Sequence, residues 1–240
     1  EKAPMVAVAD LSDGNGFGEE ALLSDAPRLQ WVQTLTAGAD AVSFPDLAAR
    51  GIVMTNGSGI HAPNLAEHLL GLMLAFARNL PSLMRLQQRH EWAQQARQFE
   101  LGGQTLCVVG LGDIGLALAE RANALGMCAT GVRRRDIPCP PFVEAVARLD
   151  TMDALLAEAD HVAVCLPLTA RTGTVIDADK LRVMKRGAYI YNIGRGELID
   201  QDVMIELLAS GHLAGAGLDV TTPEPLPADS PLWDMENVII

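Results

Sequence analysis

The sequence predicts an α/β fold in two parts, a small leading layer and a larger doubly wound parallel sheet. Short β-favouring runs alternate with helical stretches along most of the chain, the pattern of strands joined by helical crossovers. At Leu106-Cys107-Val108-Val109 an apolar run leads straight into Gly110, Gly112 and Gly115, and the residues over 116–125 then read as a helix that stops at Gly126. The chain is 49% hydrophobic and 20% charged, a balance that can bury a sizeable core.

Taken in order, residues 4–9 form a strand, 13–16 a glycine-rich turn and 19–26 a helix. A strand over 29–35 ends in the small-residue turn Thr36-Ala37-Gly38-Ala39-Asp40. Phe44-Pro45-Asp46 leads into a short helix to Arg50, and 51–55 is another strand. Asn56-Gly57-Ser58-Gly59 breaks the alternation and marks a hinge, dividing residues 1–55 from 56–240. Asn64 with Glu67 three residues on resembles a capping box. The helix that follows over 65–77 is apolar on nearly every face, which predicts burial between layers or between subunits. A second helix runs to about Gln98, with Arg85, Gln88, Arg89, Glu91 and Gln95 on a solvated face. Beyond the glycines come strands over 128–132, 160–166, 188–192 and 214–220 and helices over 151–159, 179–184 and 201–210. Together they predict a six-stranded doubly wound sheet whose ligands sit at the strand carboxyl ends.

The glycine spacing is G-x-G-x-x-G between a strand and a helix, the context of a dinucleotide-binding Rossmann turn. Gly110 permits the tight turn, Gly112 lets a pyrophosphate approach the backbone, and Gly115 lets the helix pack close to its strand. Asp113 and Ile114 open that helix, and its first N–H groups and dipole face the phosphates. Composition narrows the partners further. With 18 basic and 30 acidic residues the net charge is −12, a poor match for nucleic acid or an anionic membrane surface. No run of 18 apolar residues and no signal peptide is present. Cys107, Cys128, Cys139 and Cys165 contain no C-x-x-C pair and read as small buried hydrophobes in a reducing, cytoplasmic compartment, with no metal site.

Four further stretches fall at strand ends. These are Gly131-Val132-Arg133-Arg134-Arg135, Leu166-Pro167-Leu168-Thr169, Asn192-Ile193-Gly194-Arg195-Gly196 and Gly217-Leu218-Asp219-Val220-Thr221-Thr222-Pro223-Glu224-Pro225. With the fingerprint, in this order, they resemble the D-isomer-specific 2-hydroxyacid dehydrogenases. The resemblance implies an NAD(P)-binding Rossmann domain over 56–240 and a flavodoxin-like substrate domain of which 1–55 is only a part. It implies that Arg195 binds the 2-keto acid, whose carboxylate and carbonyl suit a planar fork of donors. It also implies that Glu224 pairs with a histidine acid/base and that Asp219 hydrogen-bonds the nicotinamide carboxamide. The backbone of Ala37 and Gly38 would hold the substrate carboxylate. Leu166, Pro167 and Thr172 would lie beside the adenosine and nicotinamide ribose, and Ile193 and Gly194 along the nicotinamide. Taken alone, Arg195 also reads as a surface arginine after a strand, although the flanking Gly194 and Gly196 favour a functional turn; Glu224 between two prolines is more often a solvated loop carboxylate, and Asp219 also reads as a strand-end cap. The segment around Trp92 resembles the family's dimer arm, which implies a homodimer.

Two departures matter. Where NAD-dependent relatives place an acidic residue after the second strand, this chain has Arg133, followed by Arg134 and Arg135. An arginine there suits a ribose 2′-phosphate and predicts NADP as coenzyme, with NAD as the alternative; a basic solvated turn is the other reading. Typical relatives also begin with a further βα segment and continue into a Pro-His motif where this sequence reaches Asn237-Val238-Ile239-Ile240. The resemblance therefore implies truncation at both ends. It leaves His61, His68, His90, His161 and His212 all outside the position of the catalytic histidine, so ketoacid reduction by these residues alone is expected to be poor. The leading expectation is an NADPH-preferring 2-ketoacid reductase. A nucleotide-sensing module without turnover is the alternative from another class, and a Rossmann enzyme related to S-adenosylhomocysteine hydrolase is disfavoured by Arg195 and Glu224.

Overall fold

A computed structural model describes residues 5–9, 27–35, 37–38, 44–92, 98–134 and 137–240. The turn over 13–16 and the helix over 19–26 lie outside them, as do Thr36, Ala39, Asp40, Gln95 and Arg135. The chain forms two compact units, one up to Ala62 and one from Pro63 onward, against the 55/56 boundary expected from the sequence.

The first unit is a parallel three-stranded sheet in the order β1 (Met5–Ala9), β2 (Leu29–Thr34), β3 (Val53–Thr55), with helix α1 (Phe44–Ala49) between the last two. Leu47 of α1 packs with Leu29, Val32 and Ile52 in a small core. On β2 and β3 a polar chain runs outward: Trp31 Nε1 donates to Thr55 Oγ1 at 2.7 Å, and that hydroxyl donates to Gln33 Oε1 at 2.5 Å.

The second unit opens with α2 (Ala62–Ala77) and α3 (Leu80–Gln88). The sheet follows: β4 (Thr105–Val109), α4 (Asp113–Ala124), β5 (Cys128–Val132), β6 (Ala145–Ala147), α5 (Asp153–Glu158), β7 (His161–Val164), α6 (Ala178–Val183), β8 (Tyr189–Asn192), α7 (Gln201–Ala209), β9 (Gly215–Leu218) and β10 (Val238–Ile239). Its strand order is β6-β5-β4-β7-β8-β9-β10, every neighbouring pair parallel. The first six strands of that order match the Rossmann arrangement, and the order reverses between β4 and β7.

Strand β4 shows why the sequence folds this way. Leu106, Cys107, Val108 and Val109 are all fully buried, as a central parallel strand covered on both faces requires. Alternate side chains enter opposite cores. Cys107 and Val109 pack with Val162, Val164, Ile190 and Leu198, while Leu106 and Val108 pack with Leu118, Ala119, Met73 and Tyr191. Each fully buried valine or leucine there contributes roughly 1.5–3 kcal/mol.

Four details differ from the sequence reading. The sheet has seven strands rather than six: β6 is a short, largely exposed edge piece, and β10 pairs at only two positions. Helix α2 starts before Asn64, so Asn64 lies inside the first turn and cannot cap it; Pro63, with its fixed φ, suits that opening turn. The helix buries Ala66, Leu69, Met73 and Ala77 but leaves Leu74 exposed, so it is not covered all round. Helix α3 stops at Gln88 rather than near Gln98, because His90 takes a left-handed φ of 57° and closes the turn. The cysteines also divide. Cys107 is buried and its thiol is pushed up to about 12 by desolvation, whereas Cys139 is exposed; all four thiols are free.

Candidate active site at the carboxyl edge of the sheet

The carboxyl ends of β4, β7, β8 and β9 approach one another so closely that side chains would collide. A Cβ on Gly115 would fall 2.1 Å from the Gly110 carbonyl oxygen, and one on Gly110 would fall 2.8 Å from the carbonyl of Cys165. A Cβ on Gly194 would meet the Leu166 carbonyl at 2.6 Å, and one on Gly196 would meet the Thr221 carbonyl at 2.1 Å. These contacts form a continuous floor from the fingerprint to the last loop. Gly112 is the exception: a Cβ there would meet nothing within 4 Å. It stands in extended conformation at the start of α4, and no side chain caps that helix. A bare backbone facing open space at a helix N-terminus fits a diphosphate. The floor and this opening together fit a dinucleotide.

The residues singled out from the sequence lie on the loops that follow these strands. After β5, the Arg133 N–H donates to the Ala147 carbonyl at 3.0 Å and its guanidinium donates to the Ile137 carbonyl; Arg134 is exposed. After β7, Thr172 is 7% exposed and closes its own loop, its hydroxyl donating to the Pro167 carbonyl at 2.7 Å and accepting from the Thr169 N–H at 2.8 Å. Leu166 contributes its carbonyl to the contact with Gly194, and Pro167 is exposed. Cys165, behind Gly110, has its thiol pushed up to about 12 by burial, so it is not a nucleophile.

Arg195 is half-buried, and its Nη1 donates to the Gly194 carbonyl at 2.8 Å. Its turn is set by a residue to which sequence reasoning gave no role. The Asn192 amide donates to the Arg195 carbonyl at 2.8 Å and accepts the Gly194 N–H at 3.0 Å, so one buried side chain fixes both ends of the turn. Ile193 is buried beside it. The loop bearing Glu224 is held in a similar way. Gln201, at the start of α7, donates to the Thr222 carbonyl at 2.5 Å and accepts the Thr222 N–H at 3.0 Å. Gly196 against Thr221 ties this loop to the Arg195 turn, while Glu224 itself is exposed. Asp219 is anchored by its N–H on the Asn192 carbonyl at 3.0 Å, and His68 Nε2 of α2 lies 3.5 Å from its Oδ1.

In the first unit, Ala37 and Gly38 follow β2 in a half-buried turn. Asn56 Nδ2 donates to the Ala37 carbonyl at 2.8 Å, and a Cβ on Gly57 would fall 2.5 Å from the Leu35 carbonyl, so the 56–59 segment braces this turn.

Of the other histidines, His161 is buried against Tyr191 and Gln104 at the amino edge, and His212 Nε2 lies 3.0 Å from the Met184 carbonyl. No described helix is long and apolar enough to cross a membrane, and no cluster of metal-ligating side chains occurs among the described residues.

The sheet order, the glycine floor and the open helix start define a dinucleotide-binding oxidoreductase domain. Residues 70–240 match the sequence profile of the D-isomer specific 2-hydroxyacid dehydrogenase NAD-binding domain. The chain is 35% identical over 246 residues to glyoxylate/hydroxypyruvate reductase B of Pectobacterium carotovorum subsp. carotovorum (strain PC1), covering 98% of this chain and 75% of that protein. Among solved structures it is similar to the TT0316 protein from Thermus thermophilus, with a TM-score of 0.82 and 36% identity over 91% of this chain and 70% of the other. It is also similar to the D-isomer specific 2-hydroxyacid dehydrogenase from Xanthobacter autotrophicus Py2 in complex with NADPH and MES, with a TM-score of 0.80 and 32% identity over 95% and 76%. The chain therefore belongs to the D-isomer-specific 2-hydroxyacid dehydrogenase family, enzymes that use a nicotinamide coenzyme.

Proposed function

We propose that this protein is an NADPH-preferring reductase of small 2-keto acids, with glyoxylate and hydroxypyruvate as the first candidates. The close backbone approaches and the bare Gly112 at the start of α4 support the reading most directly, because they fit the diphosphate of a dinucleotide. When bound, the coenzyme supplies the hydride. Arg195 holds the keto acid through its planar fork and polarises the carbonyl, while the Ala37–Gly38 turn receives the carboxylate. Asp219 accepts from the nicotinamide carboxamide, and Glu224 orients the histidine acid that protonates the product oxygen. None of the five histidines in the chain is assigned that role. Arg133 and Arg134 select the 2′-phosphate. The name of the Pectobacterium relative supports the substrate class, and the NADPH in the Xanthobacter complex supports the coenzyme. No relative reported above is named as a sensor, so the reading without turnover gains no support.

Coenzyme oxidation with glyoxylate, hydroxypyruvate, pyruvate and bulkier 2-keto acids, each with NADPH and NADH, tests this. The expected result is NADPH oxidation with glyoxylate and hydroxypyruvate and at least tenfold lower kcat/KM with NADH. Failure of the protein both to bind NADPH and to oxidise either coenzyme with any keto acid overturns the reading. Assembly belongs to the same proposal. Leu74, Leu80, Met84 and Trp92 are 41%, 45%, 62% and 91% exposed on α2, α3 and the following segment, an apolar surface that suits an isologous homodimer. Light scattering at micromolar concentration is expected to give twice the chain mass, and a monomer overturns it.

A further inference from the structure

Beyond Arg133 the carboxyl edge opens into a cavity of about 660 Å³, lined by Arg133, Arg134 and Arg148 with Ile137, Pro138 and Ala147 among its walls. Arg148 carries none of the motifs discussed above. Its position follows from strand register. Val132 of β5 is paired with Ala147 of β6, so Arg133 and Arg148, the next residue on each strand, leave the sheet side by side. Adjacent strands lie roughly 4.7–4.9 Å apart, and like charges opposite each other across a sheet are unfavourable. The chain has twelve more acidic than basic residues, yet among the described residues no carboxylate forms an ion pair with any of these three arginines. Arg133 uses one donor on the Ile137 carbonyl; Arg134 and Arg148 are exposed. Three arginines lining one cavity, with no ion-paired carboxylate among the described residues, make a positive site that attracts an anion.

We propose that Arg148 is a specificity-determining residue for the coenzyme, closing a three-arginine clamp on a phosphate monoester at the adenosine ribose. The inference rests on the NADPH reading and extends it to a residue on a different strand. A phosphate monoester carries about −1.5 to −2 charges and three strong acceptor oxygens near neutral pH, more than one guanidinium fork satisfies. Arg133 and Arg134 supply donors from the loop after β5, and Arg148 supplies them from the strand beside it.

Calorimetric binding of adenosine 2′,5′-bisphosphate, ADP and inorganic phosphate to the protein as it stands tests this without turnover. The wild type is expected to bind the bisphosphate at least tenfold more tightly than ADP. Arg148→Ala should weaken bisphosphate binding by about tenfold or more and leave ADP unchanged, the loss expected for one charge-assisted contact. Arg148→Lys, which keeps the charge and loses the fork, should restore only part. Arg148 is exposed, so an unchanged thermal transition is expected for both variants and separates binding from folding. If Arg133→Ala abolishes the discrimination and Arg148→Ala does not, this proposal is overturned while the NADPH reading stands. If the wild type fails to discriminate, the NADPH reading itself falls and the proposal with it. Equal weakening of ADP and bisphosphate, or an Arg148→Ala effect confined to inorganic phosphate, also overturns it.

Discussion

The two edges of the seven-stranded sheet are built on opposite principles. At the amino edge the polar groups are matched. His161, fully buried, has Nε2 2.6 Å from Gln104 Oε1 and Nδ1 3.0 Å from the Tyr191 hydroxyl. The amide oxygen accepts, so Nε2 carries a proton, and burial, which lowers the His161 pKa to about 4, keeps the imidazole neutral with Nδ1 accepting from Tyr191. Phe76, Phe99 and Tyr189 stack around this group. Asp160 accepts the Thr105 N–H at 3.0 Å and the Lys185 ammonium at 2.6 Å. At the carboxyl edge, glycines stand where side chains would collide, three arginines line one cavity, and Thr222 Oγ1 is buried with no hydrogen-bond partner among the described residues. Closed hydrogen-bond networks hold the amino edge, and close backbone approaches shape the carboxyl edge. The same sheet separates the two tasks by its length.

That contrast can be broken from either side. The largest effect is expected at Arg195. Arg195→Lys should lower kcat/KM for the keto acid by an amount on the order of 2.7–4 kcal/mol, the cost of losing one oriented electrostatic donor, while NADPH binding changes little. Unchanged kcat/KM would remove Arg195 from the mechanism.

Next comes the amino edge, where pH is the probe. Burial lowers the His161 pKa to about 4, against the slight opposing pull of Asp160. An unfolded chain binds that proton below about 6.5, so between the two values the unfolded state holds the extra proton. Stability is then full above about pH 6.5 and falls as the pH drops toward 4, by about 3 kcal/mol from this group. Urea titrations across that window should show the loss, and His161→Gln should flatten it. A wild-type curve flat from pH 7 to 4 would exclude the neutral buried imidazole.

Gly196→Ala comes third. The new Cβ would fall 2.1 Å from the Thr221 carbonyl, so the Arg195 turn and the Glu224 loop must separate. Overpacking of this kind costs about 1–3 kcal/mol, and it should reduce activity more than stability if the carboxyl edge is functional. Equal fractional losses in both would assign the glycine to the core.

The fourth test is coenzyme choice. Arg133→Asp should reverse the NADPH preference, with each charge-assisted bond to the 2′-phosphate contributing roughly 1.5–3 kcal/mol, which is tenfold or more. An unaltered ratio would leave Arg133 as a solvated turn residue.

Much of the carboxyl edge was legible in the sequence because its signals are local. An apolar run followed by spaced glycines specifies strand, turn and helix within ten residues, and Gly194-Arg195-Gly196 is likewise a short motif. The edge strands were not legible. Ala145–Ala147 has a composition that suits a helix or loop as well as a strand, and only pairing with β5 decides it. The braces were hidden for another reason. Gln201 meets Thr222 across 21 residues and His161 meets Gln104 across 57, with helices and strands between, and no spacing rule joins such positions before the sheet is assembled. Arg148 was missed in the same way, since its neighbourhood is a matter of register rather than motif.

Burial of Tyr191 also limits the fold at alkaline pH. Burial raises the Tyr191 phenol well above its usual value near 10, so its ionisation opposes the folded state. The chain has only two tyrosines, and Tyr189 lines a solvent-open cavity. Ultraviolet absorbance of tyrosinate therefore carries a built-in unfolding signal, because Tyr191 can ionise near its ordinary pKa only once the sheet has opened. Two buried groups in contact thus bracket the pH range of the protein, the imidazole in acid and the phenol in base.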